Sequence, residues 1–321
     1  MKSKVTIIIP IYNVEKYIER CVRSVLEQTL LDIEFIFVND ATQDNSVEIL
    51  NRLIEEYPQR KKHIKIIHHK KNLGLSAARK TGIANSSGEY IGWVDSDDWI
   101  EKDMFRKMYA KAQTEDADIV CCNIYRDKKE GIFEEKYQYD EEDIDVVVEH
   151  PEWGIYSAMW NKLIRKDLYV KNDIYPLETI SMWEDFAVTF RLRCVSKKTV
   201  ILNECLYHYN NKNENSITGT KAKRNLDDKL NCAEFLCKWL NGKLSDKNWI
   251  KMMQFFFQTK ASLFYPPHYN LKVWRTALVE SNKYIWKYTQ VPLLKKIEYW
   301  AMIKLPFAIA DKILKKHYGL K

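Results

Sequence analysis

Tyr90-Ile91-Gly92-Trp93-Val94-Asp95-Ser96-Asp97-Asp98 is the stretch on which the reading of this chain turns. Five apolar or small residues stop abruptly at three carboxylates. That is the pattern of a short buried strand ending at a solvent-facing edge. Val5–Ile9 and Glu34–Val38 lie upstream with the same apolar, β-rich character, as do Ile64–His68 and, downstream, Ile119–Cys122. Between these runs apolar residues recur at helical spacing: Tyr17, Cys21, Val22, Val25 and Leu26; then Val47, Leu50, Leu53 and Ile54; then Ala77, Ala78 and Ile83. Strand and helix in alternation predict a mostly parallel, three-layer α/β sheet. Such sheets bind ligands outside the carboxyl ends of their strands, so the loops after the strands are where chemistry is expected.

The 321 residues, 46% hydrophobic and 30% charged, suit a folded chain of one large domain plus an extension, or of two domains. Residues 126–150 are acidic and poor in periodic apolar positions, as in a surface loop or hairpin. Residues 151–220 are mixed, with a helix expected near Asp185–Val195 and strands near Thr199–Leu202 and Leu206–Tyr209. From about residue 225 the chain reads as helical, aromatic and basic, punctuated by Pro266-Pro267, Pro292 and Pro306. No run reaches the roughly 18 apolar residues of a membrane span. Met1–Lys4 leads straight into Val5–Ile9, without the h-region of an export signal. Seven cysteines, an odd number, then read as reduced thiols, and a cytoplasmic location is expected. Cys232 and Cys237 lack zinc-site spacing. Residues 221–321 hold 20 Lys and Arg against 7 Asp and Glu, a net charge of +13, while the remainder is net −6.

Three carboxylates at a strand end are costly unless something positive meets them. Mg²⁺ or Mn²⁺ suits Asp95 and Asp97, because hard cations take oxygen ligands and keep positions open for substrate phosphates. The competing reading is a helix N-cap cluster opening Trp99–Ala112, with Asp98 as cap. Asp40, in the turn Asn39–Asp44, can accept the imide N–H of a uracil ring or can simply cap the turn. Tyr12, in Pro10-Ile11-Tyr12-Asn13, can stack on a base or belong to the core. Asn72-Leu73-Gly74-Leu75-Ser76-Ala77-Ala78-Arg79 is a Gly-containing loop entering a helix, a terminus that offers N–H groups to anions, and Arg79 adds fixed positive charge.

Taken together, Thr6–Asn13, Phe37–Ser46, Asn72–Gly82 and Gly88–Trp99 resemble the family 2 glycosyltransferases of bacterial polysaccharide type, in order and spacing, over residues 4–125. Weaker likenesses follow in Trp160-Asn161-Lys162-Leu163, in Trp183-Glu184-Asp185, and in Tyr207-His208-Tyr209 with Ser216-Ile217-Thr218. The resemblance implies a GT-A fold: a three-layer nucleotide-binding sheet over 1–220, with a nucleotide-sugar half at 1–125, an acceptor half at 126–220, and a helical extension at 221–321. It implies an inverting transfer from a nucleotide-sugar, with UDP favoured and GDP and dTDP left open, to a saccharide or lipid-linked acceptor in polysaccharide synthesis. Pro10, Tyr12, Asp40, Arg79 and Asp95 would lie at the nucleotide. Asp97 and Asp95 would hold Mn²⁺ or Mg²⁺, and Asp185 would be the general base, with Glu184 beside it. Trp160, Lys162 and Glu184 would border the acceptor, and His208 the diphosphate. The chain departs from the family pattern at Ala41, Lys80 and Asn210. Where Asn210 replaces an Arg, His208 or Lys212 is the expected substitute.

Residues 284–317 combine aromatic residues with seven lysines, and Leu293, Leu294, Ile297, Ala301, Leu305 and Ile309 share a helical side, with a kink expected at Pro306. Such a helix suits an anionic membrane surface at the inner face of the plasma membrane. Packing on the catalytic domain or across a homodimer is the alternative. No nucleic-acid motif is present. A non-catalytic relative, or a nucleotide-binding transferase of another class, are the rival functions.

Overall fold

The computed structural model describes residues 3–138, 144–149, 154–178, 180–213 and 222–320. Two compact units emerge, Met1–Thr220 and Lys221–Lys321.

In the first unit every residue of β1 (Val5–Ile11) and β2 (Ile33–Asn39) is buried. Unbroken apolar runs of this kind are stable only where both sheet faces are covered. Cover comes from helices with one apolar side: α1 (Ile18–Leu26) buries Ile18, Cys21, Val22, Val25 and Leu26, and α2 (Ser46–Glu56) buries Leu50, Leu53 and Ile54. β3 (Ile64–His68) and α3 (Leu75–Asn85) precede β4 (Tyr90–Trp93), and α3 packs on β1 and β2. The unit continues with β5 (Trp99–Ile100), α4 (Met104–Glu115), β6 (Ile119–Lys128), β7 (Gly131–Glu135), α5 (Ile144–Glu149) and α6 (Gly154–Ser157). It ends with β8 (Lys162–Arg165), α7 (Lys166–Lys171), α8 (Glu184–Val195) and β9 (Thr199–Asn210).

The strand order is β3-β2-β1-β4-β8-β6-β9-β5, with β7 in a hairpin on β6. β1 to β4 pair in parallel, as alternation predicted. Beyond β4 the sheet is mixed: β8 enters antiparallel between β4 and β6, β9 runs parallel to β6, and β5 is antiparallel to β9. The strand–helix alternation stops after α4, and with it the crossover connections that parallel pairing needs. The chain leaves β1 toward β2 and β3, then returns to β4 on the other side. Loops after β1 and β4 therefore diverge and leave a crevice at their carboxyl ends. Pro10, which has no N–H to give, falls where β1 has outrun its pairing with β4.

Three expectations are corrected. The helix placed at Trp99–Ala112 begins at Met104, because Trp99 and Ile100 pair with His208 and Tyr207 as β5. Thr199–Leu202 and Leu206–Tyr209 form one strand, whose pairing with β6 shifts register between Cys122 and Ile124. The tail helix does not kink at Pro306 but breaks there.

That tail belongs to the second unit, which comprises α9 (Ala222–Leu240), α10 (Asp246–Ala261), α11 (Leu271–Thr276), α12 (Leu293–Lys304) and α13 (Phe307–Tyr318). Leu305 is extended (φ −62°, ψ 149°), as the residue before a proline prefers. Phe257, Phe264, Trp274 and Tyr299 form its aromatic core, with ring centroids 4.9 to 6.2 Å apart and tilted or edge-on packing.

Helix and sheet approach closely at Gly92. A Cβ there would stand 2.1 Å from Cε1 of Phe105 on α4, and the ring is itself fully buried. Gly92→Ala is expected to cost about 1–3 kcal/mol by overpacking, read as a lowered thermal unfolding midpoint.

Candidate active site

The acid loop leaves β4 with Val94 N–H still donating to the Ile8 carbonyl at 3.2 Å. Its three carboxylates then take different partners. Asp98 is almost wholly buried: the Tyr207 hydroxyl donates to Oδ2 at 2.6 Å and the Asn210 N–H to Oδ1 at 2.7 Å. Asp98 is thus no helix cap but the anchor of β9 against the loop. Tyr207 also accepts the Asp95 N–H at 3.1 Å, and Asn210 Nδ2 donates to the Asp97 carbonyl at 3.0 Å. Asp97 Oδ2 accepts from Asn213 Nδ2 at 2.7 Å, and Asp95 Oδ1 from Arg79 at 3.1 Å. Burial, and then the neighbouring carboxylates, push Asp97 and Asp98 above the ordinary range. The cluster holds more negative charge than Arg79 neutralises.

Among the described residues no group of three or more His, Cys, Asp or Glu is arranged to hold a metal ion. Asp95 and Asp97 still have the chemistry for one. Mg²⁺ is usually bound through one or two carboxylates, with water and substrate phosphates completing its sphere.

Across the crevice, Trp183 stands just before α8 as its N-cap, and its φ of +67° is rare for a bulky residue. Its ring packs edge-on against Phe186, with centroids 5.5 Å apart. This turn sets Glu184 and Asp185 in the first turn of α8. Arg79, on α3, reaches both sides: one guanidinium nitrogen donates to Glu184 Oε1 at 2.9 Å and another to Asp95. Glu184 is committed to that contact. Asp185 is half-buried and, among the described residues, accepts only its neighbour's N–H, from Phe186 at 2.7 Å. Burial pushes both carboxylates up; Asp185 adds to the rise at Glu184, and Arg79 opposes it at both.

At the other end, Asp40 accepts from His69 Nδ1 at 2.7 Å, and from the N–H groups of Leu73 and Gly74 at 2.8 Å each. The loop before α3 thus spends N–H groups on an internal carboxylate. His69 and Leu73 share Oδ1, while among the described residues Oδ2 takes only Gly74 and keeps a lone pair. Ala41, where the resemblance implies a second acid or a glycine, is left-handed at φ +57°. Tyr12 stands exposed just beyond β1.

Other expected residues lie elsewhere. Period-two alternation turns His208 to the opposite face from Tyr207. It is stacked between Trp99 (4.8 Å) and Tyr125 (4.6 Å), with Nε2 2.8 Å from Glu101. Lys162 is buried, and its ammonium donates to the carbonyls of Ile155 and Ala158 and to Asn161 Oδ1, so it braces backbone rather than lining a pocket. Lys212 pairs with Asp127 at 2.6 Å. Trp160 is stacked on Tyr207 (4.6 Å), whose hydroxyl meets the acid loop, and on Tyr209 (5.2 Å). Ser216-Ile217-Thr218 lies outside the described residues. Sequence reasoning missed Tyr207, Asn210 and Asn213 as holders of the acid loop, and His69 as the partner of Asp40. The paired tyrosines were visible, but spacing does not say which face of a strand meets a loop.

Removing Arg79 would strand two carboxylates. Arg79→Ala is expected to lose about 3–5 kcal/mol. Glu184 would then sit further above its unfolded value, so the folded state would bind protons that the unfolded state releases. Stability would fall as pH rises through that window. Thermal unfolding should show a larger deficit against wild type at pH 8 than at pH 5.

Residues 6–171 match the family model described as glycosyl transferase family 2. The chain is 35% identical over 236 residues to the uncharacterized glycosyltransferase EpsJ of Bacillus subtilis, covering 70% of this chain and 66% of that protein. It is 36% identical over 222 residues to the glycosyltransferase GlyA of Streptococcus pneumoniae, covering 64% of this chain but 30% of that protein. The match therefore spans less than a third to about two thirds of the length of these relatives. Among solved structures, S. aureus TarS 1-349 in complex with UDP-GlcNAc aligns with a TM-score of 0.64 at 18% identity, covering 88% of each chain. That likeness fixes the fold as GT-A type, with a helical C-terminal part. Since the family model covers more than half of the sequence, this chain belongs to glycosyl transferase family 2.

Proposed function

We infer that this chain transfers a sugar from a nucleotide-sugar, a UDP-sugar in our reading, to a hydroxyl of a saccharide or lipid-linked acceptor in the synthesis of a surface polysaccharide. The observation that carries the inference is the buried Arg79. It joins the acid loop after β4 to the acidic first turn of α8, so the carboxylates suited to a diphosphate and the carboxylate suited to a hydroxyl proton belong to one network.

In this reading the acceptor oxygen attacks the anomeric carbon opposite the departing diphosphate, which inverts the configuration there. Asp185 takes the hydroxyl proton, since Glu184 already serves Arg79. Asp97, with Asp95, would hold Mn²⁺ or Mg²⁺, which when bound neutralises charge on the diphosphate. Asp40 Oδ2 has a lone pair left for a uracil imide, and Tyr12 offers a ring for the base. Trp160 borders the acceptor side. The UDP-GlcNAc bound by TarS is consistent with a uridine donor.

Calorimetry with UDP, with and without Mn²⁺, tests the donor half. Tight binding is expected to need both the metal and Asp97, and to be lost in Asp97→Ala. Folded wild type that binds no UDP, GDP or dTDP would overturn the enzyme reading and leave a non-catalytic relative.

Asp185→Asn tests the other half: turnover should fall about 10²–10⁴-fold while UDP binding stays. Because burial raises Asp185 from its ordinary 3.8, the acid limb of kcat/KM should lie above that value, with activity lost as pH falls through it.

A further inference from the structure

Tyr299 and Met302 mark the side of α12 that its own unit covers. Helical spacing turns Leu293, Ile297 and Trp300 to the opposite side. These three, with Leu294, are each at least 45% exposed. Trp286, 51% exposed, sets its ring 6.3 Å from that of Trp300. α12 is therefore apolar on two sides, and one of them faces solvent. A helix apolar all round is normally buried on every side. α13 repeats the arrangement: Ala310 and Leu314 are buried, while Ile309 and Ile313 are exposed beside Lys312 and Lys316.

The charge around these faces is one-sided. Residues 284–318 contain seven lysines against Glu298 and Asp311. Glu298 accepts from Lys295, and Asp311 is held by Lys315 and the Tyr269 hydroxyl. Lys287, Lys296, Lys304, Lys312 and Lys316 have no acidic partner among the described residues. A second copy seated on this surface by a two-fold axis would bring its own lysines toward these. An anionic bilayer meets both features at once: the interface takes exposed tryptophan and aliphatic side chains, and its headgroups take lysines. Among the described residues no helix is long and apolar enough to cross a membrane, so contact would be in the plane of the surface.

We propose that the exposed face of α12, with Trp286 and the outer stripe of α13, is a docking surface for anionic phospholipid. The aromatic and aliphatic residues enter the interface, and the five unpaired lysines meet the headgroups. The proposal is independent of the transfer reaction and would survive a different donor or acceptor.

The test is flotation of the full chain with phosphatidylcholine vesicles, with and without phosphatidylglycerol. Wild type should float with the anionic vesicles only and be released by salt, since exposed charges are screened beyond about 8 Å at physiological ionic strength. Each unpaired lysine near the surface is worth about a fivefold change in partitioning, so Lys296→Glu with Lys304→Glu should lower binding at least 25-fold. Leu294→Glu with Ile297→Glu should abolish it. Leu294, Ile297 and Lys304 are exposed, and Lys296 is half-buried with its ammonium at the Trp286 carbonyl, so unfolding midpoints and UDP affinity should stay at wild-type values, which separates loss of docking from loss of fold or of donor binding. No flotation at low salt would overturn the proposal. So would flotation untouched by the Leu294 and Ile297 changes, or a concentration-dependent dimer that those changes dissolve while wild type ignores vesicles.

Discussion

Arg79 is shut off from solvent. Its guanidinium is buried, and Nε has no partner among the described residues. The charge is sustained by Asp95 on one side and Glu184 on the other. A buried ion of this kind is tolerated only when its partners are fixed in place. The requirement runs both ways: the acid loop and the first turn of α8 are 89 residues apart in sequence, and the guanidinium between them sets their distance. Trp183 adopts a left-handed backbone at the same point, a conformation costing about 1–3 kcal/mol that persists where the surroundings over-determine it. Most of the site geometry follows from satisfying this one cation.

The second constraint is the strand β9. Tyr207 holds Asp98 and Asp95 by a single hydroxyl, and Asn210, at the end of β9, holds the loop by its backbone N–H and its side-chain amide. Without these donors Asp98, pushed up by burial and by its acidic neighbours, would lack a reason to remain inside. The bulge in the β6–β9 pairing lies upstream of Tyr207. A one-residue change of register there would exchange Tyr207 for His208 at the acid loop. The ring that the sequence suggested for the diphosphate is thus displaced by the parity of a strand.

The second unit solves a different problem. Its interior is aromatic, and Lys260 lies wholly inside it, donating to the Ala277 carbonyl and to Asn282 Oδ1 with its ammonium 5.3 Å from the ring centroid of Phe257 and 5.2 Å from that of Trp274. Burial pushes this lysine down to about 7. The apolar residues that this core leaves outside are concentrated on α12, α13 and Trp286, beside lysines without acidic partners. An interior able to enclose a lysine while leaving tryptophan in water argues that the exposed face answers to something outside the unit.

Sequence by itself determined the parallel half of the sheet, because buried strands and one-sided helices write their periodicity into the chain: Val5–Ile9, Glu34–Val38 and the helix of Tyr17 to Leu26 were legible for that reason. It also located the acids, since three carboxylates after an apolar run have few physical explanations, and it marked the basic aromatic tail. Tertiary structure alone decided which groups meet. Spacing cannot tell that β8 inserts between β4 and β6, that Trp99 joins β9 rather than a helix, or that Lys162 turns to backbone carbonyls. Nor can it tell that Glu184, and not Asp185, is taken by Arg79. Those outcomes depend on contacts between residues far apart in the chain, and on the parity and burial that folding imposes. Local propensity carries no information about either.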